Sequence, residues 1–261
     1  MADLRSFSLE GKVVVQFGGS GLLGRALVAA LAEAGATLIV ASRQPEVLDA
    51  EVASLRQAGG RVHLETVDLL DEASLHSLLA RVSAAHGPLH GMVYNAVSRP
   101  MARMDAPLAA WEESMRLNAT GFFAAVRACG DALARAGRGS IVNISSQMGT
   151  IGPNYFLYEG TGATVSPDYF FHKGGMTNLT RYLAAHYGAK GVRVNVVSPG
   201  GIYNPAKPQA ADFLQRYAKM TMLGRMAEAR EIGGAVVFLL SDASTYVTGA
   251  NLAVDGGYTA K

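Results

Sequence analysis

Short apolar runs alternate along the chain with longer segments in which apolar residues recur every three or four positions. The short runs are rich in Val and Ile, as strands are, and predict strands at Lys12–Phe17, Thr37–Ala41, Val62–Val67, His90–Tyr94, Ser140–Ser145, Val192–Ser198 and Asn251–Val254. The longer segments predict helices at Leu22–Ala34, Glu46–Ala58, Glu72–Ala85, Leu108–Ala136, Pro167–Tyr187 and Glu228–Leu240. Such apolar strands, separated by helices, indicate a parallel sheet covered on both faces.

Because crossovers between parallel strands are right-handed, this order predicts an α/β fold, a Rossmann-type doubly wound parallel sheet in three αβα layers. No repeat or linker-like stretch divides residues 1–261, so we expect a single domain. Two irregular stretches, at about 149–166 and 200–225, follow predicted strands. Ligands bind at the carboxyl ends of such strands, so both stretches are predicted to be substrate loops.

Composition narrows the class of protein. Of the 261 residues, 49% are hydrophobic and 17% are charged, which is typical of a globular protein. The net charge of +2 gives no excess of positive charge that would indicate binding to nucleic acid or to an anionic membrane. The one cysteine, Cys129, excludes an internal disulfide and a thiolate zinc cluster, and we predict no metal site. The first residues carry charges and lack the apolar core of a signal peptide. We therefore expect a soluble, cytoplasmic protein that binds a small molecule.

Three glycines, Gly18, Gly21 and Gly24, lie between the first predicted strand and the first predicted helix. Glycine allows close backbone approach, and the N-terminus of the following helix attracts a pyrophosphate. This strand–loop–helix context favours dinucleotide binding over a merely tight turn. The expected contacts are Gly18, Ser20, Gly21, Leu22 and Leu23.

The residues at the end of the second predicted strand determine whether the cofactor's adenosine ribose carries a free 2′-hydroxyl or a 2′-phosphate. An acidic residue there would bind a 2′-hydroxyl, but the chain has Ser42 and Arg43 instead. A serine hydroxyl and a guanidinium can both hold a 2′-phosphate. NADP(H) is therefore favoured over NAD(H), with stacking of Arg43 on the adenine as the alternative that is compatible with NAD(H).

Tyr169 and Lys173 stand four residues apart on one face of a predicted helix. A nearby ammonium group favours the phenolate form of a tyrosine, which can then exchange a proton with a hydroxyl or carbonyl oxygen. A Tyr-x-x-x-Lys pair alone is commonplace and is more often a surface pair than a site.

Further motifs follow one another in a fixed order along the chain: Gly18–Gly24, Asp68-Leu69, Asn95-Ala96, Asn118, Asn143–Ser146, Tyr169–Lys173, Ser198–Gly200 and Tyr246–Tyr258. Together they resemble the short-chain dehydrogenase/reductase family over nearly the whole length of the chain. The resemblance implies that Tyr169 is the general acid and base, that Lys173 holds the nicotinamide ribose, and that Ser146 polarises the reacting oxygen. Asn118 would hold a water that links Lys173 to solvent, whereas Ser145 is expected to be structural.

The resemblance also implies cofactor contacts beyond the glycine loop. The expected adenine, ribose and nicotinamide contacts are, in that order, Asp68 and Leu69, Asn95 and Ala96, and Pro199, Gly200 and Ile202. It further implies an NAD(P)(H)-dependent oxidoreductase that interconverts a secondary alcohol and a ketone. Two alternatives stay open: an epimerase or dehydratase that retains its cofactor, and a non-enzymatic dinucleotide-sensing protein.

Some features depart from the usual family pattern. Leu22 replaces a glycine, Val97 replaces another, and the spacing between Ser146 and Tyr169 is longer than usual. The extra segment includes Tyr158-Glu159-Gly160 and predicts a flap over the site. It is similar to members associated with flagellin-glycan and nonulosonic sugars, which implies a polar, carbohydrate-type substrate. The candidates for holding a substrate phosphate or carboxylate are Arg99, Arg103 and Lys207.

Family members often form dimers and tetramers, so we expect a homotetramer. Phe122, Phe123 and Val126, together with the C-terminal segment, are the predicted interface elements.

Overall fold

A computed structural model describes residues 4–161 and 164–260 and contains a seven-stranded sheet in which every pairing is parallel. The strands are β1 Val13–Phe17, β2 Thr37–Ser42, β3 Arg61–Thr66, β4 Gly91–Tyr94, β5 Gly139–Ile144, β6 Val192–Pro199 and β7 Asn251–Val254. Their order across the sheet is β3-β2-β1-β4-β5-β6-β7. The helices are α1 Leu22–Glu33, α2 Asp49–Gln57, α3 Glu72–His86, α4 Leu108–Met115, α5 Phe122–Ala136, α6 Pro167–Gly188, α7 Ala211–Met220 and α8 Gly233–Leu240.

Each face of the sheet is covered by its own layer of helices. One buried cluster joins the sheet to α3, α5 and α6, and a second joins it to α1, α2 and α8. Because side chains alternate along a strand, Val13, Val15 and Phe17 enter the first cluster while Val14 enters the second. The fold is therefore the predicted single-domain, three-layer αβα arrangement, in which helices cover both faces of the sheet.

The strand order reverses next to β1. From β1 the chain builds outward through β2 and β3, and it then returns to place β4 on the other side of β1. Phe17 and Tyr94, the last residues of β1 and β4, lie opposite each other in the sheet. A crevice forms at such a reversal because the two connecting chains leave in opposite directions. The glycine loop after β1 opens into this crevice.

The long helix predicted over Leu108–Ala136 is interrupted. Between α4 and α5 the residues Arg116–Gly121 form a π-helical turn, which carries Asn118. Such wide turns occur mostly inside α-helices and often at functional sites. Apolar periodicity cannot locate one, because the residues on both sides of it keep helical spacing.

The predicted loop at 200–225 contains a helix, so this part of the prediction was wrong. In α7 the residues Phe213, Leu214 and Tyr217 have helical spacing and pack around the buried Leu157 and the ring of Tyr258. The pattern covers less than three turns and its other face is polar. It was therefore too short to stand out from a surface loop.

Two predicted helix starts also differ from the structure. Single 3₁₀ turns, Pro45–Leu48 and Ala229–Ile232, precede α2 and α8 where full α-helix was expected. Helix α6 begins at Pro167, as predicted, and the Ser166 carbonyl accepts from the Tyr169 amide. Within the described residues no helix is both long and apolar enough to cross a membrane.

The predicted subunit interface needs correction on α5. Phe122 is 2% exposed and Val126 is 0% exposed, and both belong to the core of this chain. They therefore cannot reach a partner. Phe123, on the opposite side of α5, is 41% exposed and stays available for an interface.

A turn at the opposite end of the sheet from the crevice gives a test of the packing. Gly191 has φ +77°, and a Cβ on it would collide with the Gly137 carbonyl. Gly59 also has positive φ but faces open space. We expect Gly59→Ala to lower the free energy of unfolding by about 1–2 kcal/mol, and Gly191→Ala to lower it by roughly 1–3 kcal/mol more. Urea unfolding measures both, and equal losses would contradict the steric argument.

Candidate active site

The glycine loop approaches the β4 end so closely that no side chain would fit. Gly18 has φ +84°, and a Cβ there would lie 2.6 Å from the Ala96 amide nitrogen. A Cβ on Gly24, in the first turn of α1, would lie 2.7 Å from the Gly18 carbonyl oxygen. These two glycines let the loop lie flat against α1 and β4. The backbone amides at the α1 N-terminus then face the crevice, as a pyrophosphate requires.

Two amide side chains hold this loop in place. The Asn95 Nδ2 donates to the Gly18 carbonyl oxygen at 2.8 Å, and the buried Gln16 Nε2 donates to the Gly24 carbonyl oxygen at 3.0 Å. Asn95 was expected to support the cofactor, and it lies at the loop. Gln16 was missed by sequence reasoning. The only sequence signal for it was a polar residue inside an otherwise apolar strand.

An open cavity of about 590 Å³ extends from the glycine loop over the ends of β2 and β3. Most residues predicted to hold the glycine-loop, ribose and adenine parts of a dinucleotide line it: Gly18, Ser20, Gly21, Ser42, Arg43, Asp68, Leu69, Asn95 and Ala96. Glu113 and Arg116 line it as well and were not predicted. With its cradle of glycines and an exposed arginine at the ribose end, this cavity fits a dinucleotide.

Two predicted contacts of the glycine loop lie beside the cavity rather than in its wall. Leu22 is exposed, and Leu23 packs partly against the core under α1. Their side chains therefore contribute apolar surface, and only their backbone at the start of α1 can face a phosphate.

The Tyr169 and Lys173 side chains come together at the carboxyl end of β5, two strands from the glycine loop and outside the lining of the 590 Å³ cavity. The Lys173 Nζ lies 5.7 Å from the Tyr169 ring centroid and donates to the Ile144 carbonyl oxygen at 2.7 Å. Lys173 is buried, whereas Tyr169 is partly exposed. An ammonium group has three donors, so two remain for other partners.

Burial shapes the electrostatics of this pair. Desolvation, and after it the charge of Arg99, lowers the pKa of Lys173 to about 7. Desolvation, then Lys173 and Arg99, lowers the pKa of the buried His172 to about 3. His172 is therefore neutral, packs edge-on against the Tyr169 ring, and makes no hydrogen bond to any described residue.

The two serines after β5 have different partners. The Ser146 Oγ accepts from the Met148 amide at 3.2 Å, so its own hydrogen remains for another acceptor. The Ser145 Oγ donates to the Lys173 carbonyl oxygen at 2.9 Å and contacts the Thr177 Oγ1 at 3.0 Å. Ser145 thus joins β5 to α6, and Ser146 alone is left for a ligand.

The Asn118 side chain is engaged in a buried network rather than directed at Lys173. It pairs with the backbone of Ser98 through both polar atoms, at 2.9 and 2.8 Å, and donates to the Ser114 Oγ at 2.9 Å. The Ser114 Oγ in turn donates to the Asp168 Oδ2 at 2.5 Å. The network joins the π turn to the first turn of α6. Sequence reasoning missed Ser114 and Asp168.

The residues expected at the nicotinamide end follow β6. Pro199 ends β6, a Cβ on Gly200 would meet Asp255 at 2.8 Å, and Ile202 packs partly against the second core cluster. The Tyr217 hydroxyl accepts from the Gly201 amide at 2.5 Å and donates to the Gln147 Oε1 at 3.3 Å. Helix α7 therefore bridges the β6 end and the segment that carries Ser146.

The inserted segment before α6 forms a wall beside the site. Its 3₁₀ turn, Tyr155–Leu157, is anchored by the buried Leu157, and the Thr164 hydroxyl donates to the Ala102 carbonyl at 2.8 Å. A cavity of about 460 Å³ lies between this segment and residues 103–105. Gly162, part of the predicted flap, lies outside the described residues. The described part of the insert therefore packs against the chain that follows β4.

Known proteins share this architecture over the whole chain. A family described as enoyl-(acyl carrier protein) reductase, adh_short_C2, matches residues 20–259. The chain is 37% identical over 257 residues to cis-4-hydroxycyclohexanecarboxylate dehydrogenase of Sinomonas cyclohexanicum, covering 95% of this chain and 97% of the relative. It is 34% identical to galactitol 2-dehydrogenase (L-tagatose-forming) of Cereibacter sphaeroides, covering 97% of each.

A solved structure is similar over its full length. Gluconate 5-dehydrogenase from Burkholderia cenocepacia, in complex with NADP and tartrate, superposes with a TM-score of 0.88 at 28% identity, covering 99% of each chain. The sheet, the glycine loop and the Tyr–Lys pair define a dinucleotide-dependent oxidoreductase. The chain belongs to the short-chain dehydrogenase/reductase family and is an NAD(P)-dependent oxidoreductase that acts on CH–OH groups.

The buried ammonium group of Lys173 predicts a pH-dependent stability of the protein without cofactor. In the unfolded chain lysine keeps its proton up to about pH 10.5, whereas Lys173 loses it at about pH 7 when folded. The unfolded state therefore binds more protons in between, and the free energy of unfolding rises with pH from about 7 to about 10.5. Lys173→Met should remove this rise.

Urea unfolding of both proteins at several pH values measures it. Lys207→Met, which removes an exposed lysine from a loop, is the control and should keep the wild-type slope. If Lys173→Met and the wild type show parallel pH profiles, Lys173 carries no shifted titration.

Proposed function

We propose that this protein interconverts a secondary alcohol and a ketone, with Tyr169 exchanging the proton and Ser146, Lys173 and Asn118 supporting it. The observation that carries the proposal is the buried Lys173 ammonium group beside the Tyr169 ring, at the carboxyl end of β5 in a sheet whose other strand ends form a cavity that fits a dinucleotide. A pure binding protein has no need to bury a charge next to a phenol, because burying it costs free energy.

Each side chain has a defined part in the proposed reaction. In the oxidation direction the Tyr169 Oη accepts the proton of the substrate hydroxyl, and in reduction it returns that proton to the carbonyl oxygen. The Ser146 hydroxyl donates to the same substrate oxygen. A nicotinamide cofactor, when bound, would supply the hydride chemistry at the substrate carbon. The two remaining Lys173 donors hold the ribose hydroxyls.

Asn118 acts by position in this proposal. Its side chain fixes Ser98 in the segment after β4 and Ser114 in α4. A water held near the π turn would then connect Lys173 to solvent, as the family resemblance implies. The remaining predicted cofactor residues, from the glycine loop to Ile202, orient the dinucleotide along the crevice.

Tyr169→Phe tests the catalytic assignment. Because the variant lacks only the hydroxyl, we expect at least a thousandfold loss of kcat with the Kd for NADPH within about twofold of wild type. Stopped-flow turnover and fluorescence titration measure the two. Tyr246→Phe, which alters a fully exposed phenol in the turn before β7, is the control and should retain turnover. Full activity of Tyr169→Phe would overturn the mechanism.

We also propose that NADP(H) is the preferred cofactor. Arg43 is exposed at the ribose end of the cavity beside Ser42, and neither residue can repel a 2′-phosphate. A solved relative of the family binds NADP, which is compatible with this preference.

Arg43→Ala should weaken NADPH binding by about 10- to 100-fold, because it removes a charge-assisted hydrogen bond, and should leave NADH binding nearly unchanged. Titration of both cofactors measures it. Arg135→Ala, at the exposed end of α5, is the control. Tighter NADH than NADPH binding by the wild type would contradict the preference.

The substrate is proposed to be a polar alcohol on a small ring or polyol chain. The relatives described above are named for a hydroxycyclohexane acid, galactitol and gluconate. The resemblance of the insert to flagellin-glycan and nonulosonic-sugar enzymes adds amino sugars and sugar acids to the compounds to be screened. Net reduction of NADP⁺ or NAD⁺ by any of them separates a dehydrogenase from an epimerase or dehydratase that retains its cofactor.

The assembly and location remain proposals. Exposed aromatic residues on α5 and α6, namely Phe123, Phe171 and Tyr182, support packing against a second copy. They are consistent with the predicted homotetramer, which light scattering would test. The cytoplasm is the proposed compartment.

A further inference from the structure

The segment that follows β4 places an arginine on the reactive phenol. The Arg99 guanidinium carbon lies 4.7 Å from the Tyr169 ring centroid, closer than the Lys173 Nζ. Arg99 is exposed, and its guanidinium group has no hydrogen bond or ion pair with any residue that the structure describes. A guanidinium group with five donors, none of them bonded to a described residue, therefore lies over the ring whose hydroxyl exchanges the proton.

The other two predicted anion-holding residues are placed differently. Arg103 is ion-paired with Asp105 at 2.8 Å, and both side chains are largely exposed. Lys207 is exposed in the stretch before α7, and its side chain has no described contact with Tyr169. Of the three, only Arg99 combines an available charge with contact to the reactive residue.

Arg99 lies among other basic side chains. Its charge lowers the pKa of Lys173, second to desolvation, and that of His172, after desolvation and Lys173. No acidic side chain among the described residues pairs with it. An anion bound here would reduce the repulsion between these basic groups. The site therefore binds a negatively charged ligand more tightly than a neutral one.

We propose that Arg99 binds a carboxylate of the substrate, so that the enzyme acts on secondary alcohols that also carry a carboxylate group. This inference rests on the proposed function. One planar guanidinium matches one carboxylate through two parallel hydrogen bonds. A phosphate dianion calls for more donors than this place offers, because Lys173 is buried and already bonded to Ile144.

The cavity between the insert and residues 103–105 offers apolar surface to a carbon skeleton. Tyr155, Tyr158 and Val165 line it, together with the ion-paired Arg103 and Asp105. Burial, then the phenols of Tyr258 and Tyr169, raises the pKa of Tyr158, so its hydroxyl keeps its proton. Because Arg99 contacts Tyr169 directly, the carboxylate must stand across a small ring or a few carbons from the reacting hydroxyl.

The test compares each enzyme on a matched pair of substrates. The pair is cis-4-hydroxycyclohexanecarboxylate and its carboxamide, which has the same shape without the charge. For the wild type we expect a higher kcat/KM on the acid. Arg99→Gln should lower the acid-to-amide ratio of kcat/KM by about 10- to 100-fold, mainly through KM for the acid. Arg99→Lys keeps the positive charge but cannot form two parallel hydrogen bonds, so its acid-to-amide ratio should lie between those of the wild type and Arg99→Gln.

Two controls separate recognition from general effects. A change in kcat that is common to both substrates reports the influence of Arg99 on Tyr169 and cancels in the ratio. Arg135→Gln, far from the site on α5, should keep the wild-type ratio. A ratio that falls in Arg103→Gln but not in Arg99→Gln would overturn the assignment to Arg99.

Binding gives a second readout that needs no turnover. Calorimetric titration of the NADPH-bound wild type with cyclohexanecarboxylate should show binding that Arg99→Gln weakens by a similar factor. An unchanged ratio together with unchanged binding overturns the carboxylate anchor but leaves the proposed function intact. Absence of any NADP⁺ or NAD⁺ reduction by either substrate and by the neutral polyols counts against the proposed function, and the binding experiment still decides the anchor.

Discussion

The site depends on one buried charge. Lys173 enters the junction of α6 and β5 almost without solvent contact, and a single carbonyl, that of Ile144, compensates for part of the hydration that it loses. An ammonium group stays buried at such a place only where the surrounding packing prevents its side chain from reaching water. The packing here comes from Ser145, which follows β5, donates to the Lys173 carbonyl of α6 and contacts the Thr177 hydroxyl of the same helix. The position of Tyr169 follows, since it lies one helical turn before Lys173.

Much of the fold could be predicted from the sequence because its elements are locally encoded. The five inner strands are apolar and largely buried, so their runs stand out in the sequence. The parallel order with its reversal beside β1 then follows from general rules of α/β folds. The elements that were misjudged are those decided by tertiary contacts. Helix α7 becomes a helix through the packing of Tyr217, and the π turn that carries Asn118 has no signature in the periodicity.

The same division applies to the candidate site. The residues with recognisable chemistry in a recognisable order, such as Tyr169 and Lys173, could be found without a structure. Gln16 could not, because its role is to hold a carbonyl eight residues further along the chain. Nor could the link between Ser114 and Asp168, which are 54 positions apart and meet only when α4 packs against α6. Supporting contacts of this kind depend on geometry that one sequence does not express.

The hydroxyl of Tyr217 ties together two parts of the pocket that the chain itself keeps far apart. It holds Gly201 on one side and Gln147, the immediate neighbour of Ser146, on the other. Any tilt of α7 is consequently transmitted to both the polarising serine and the backbone beside the nicotinamide position. Substitutions on the outer face of α7 can therefore change which substrates the pocket accepts. The side chains on its inner face must stay the same for the reaction to proceed.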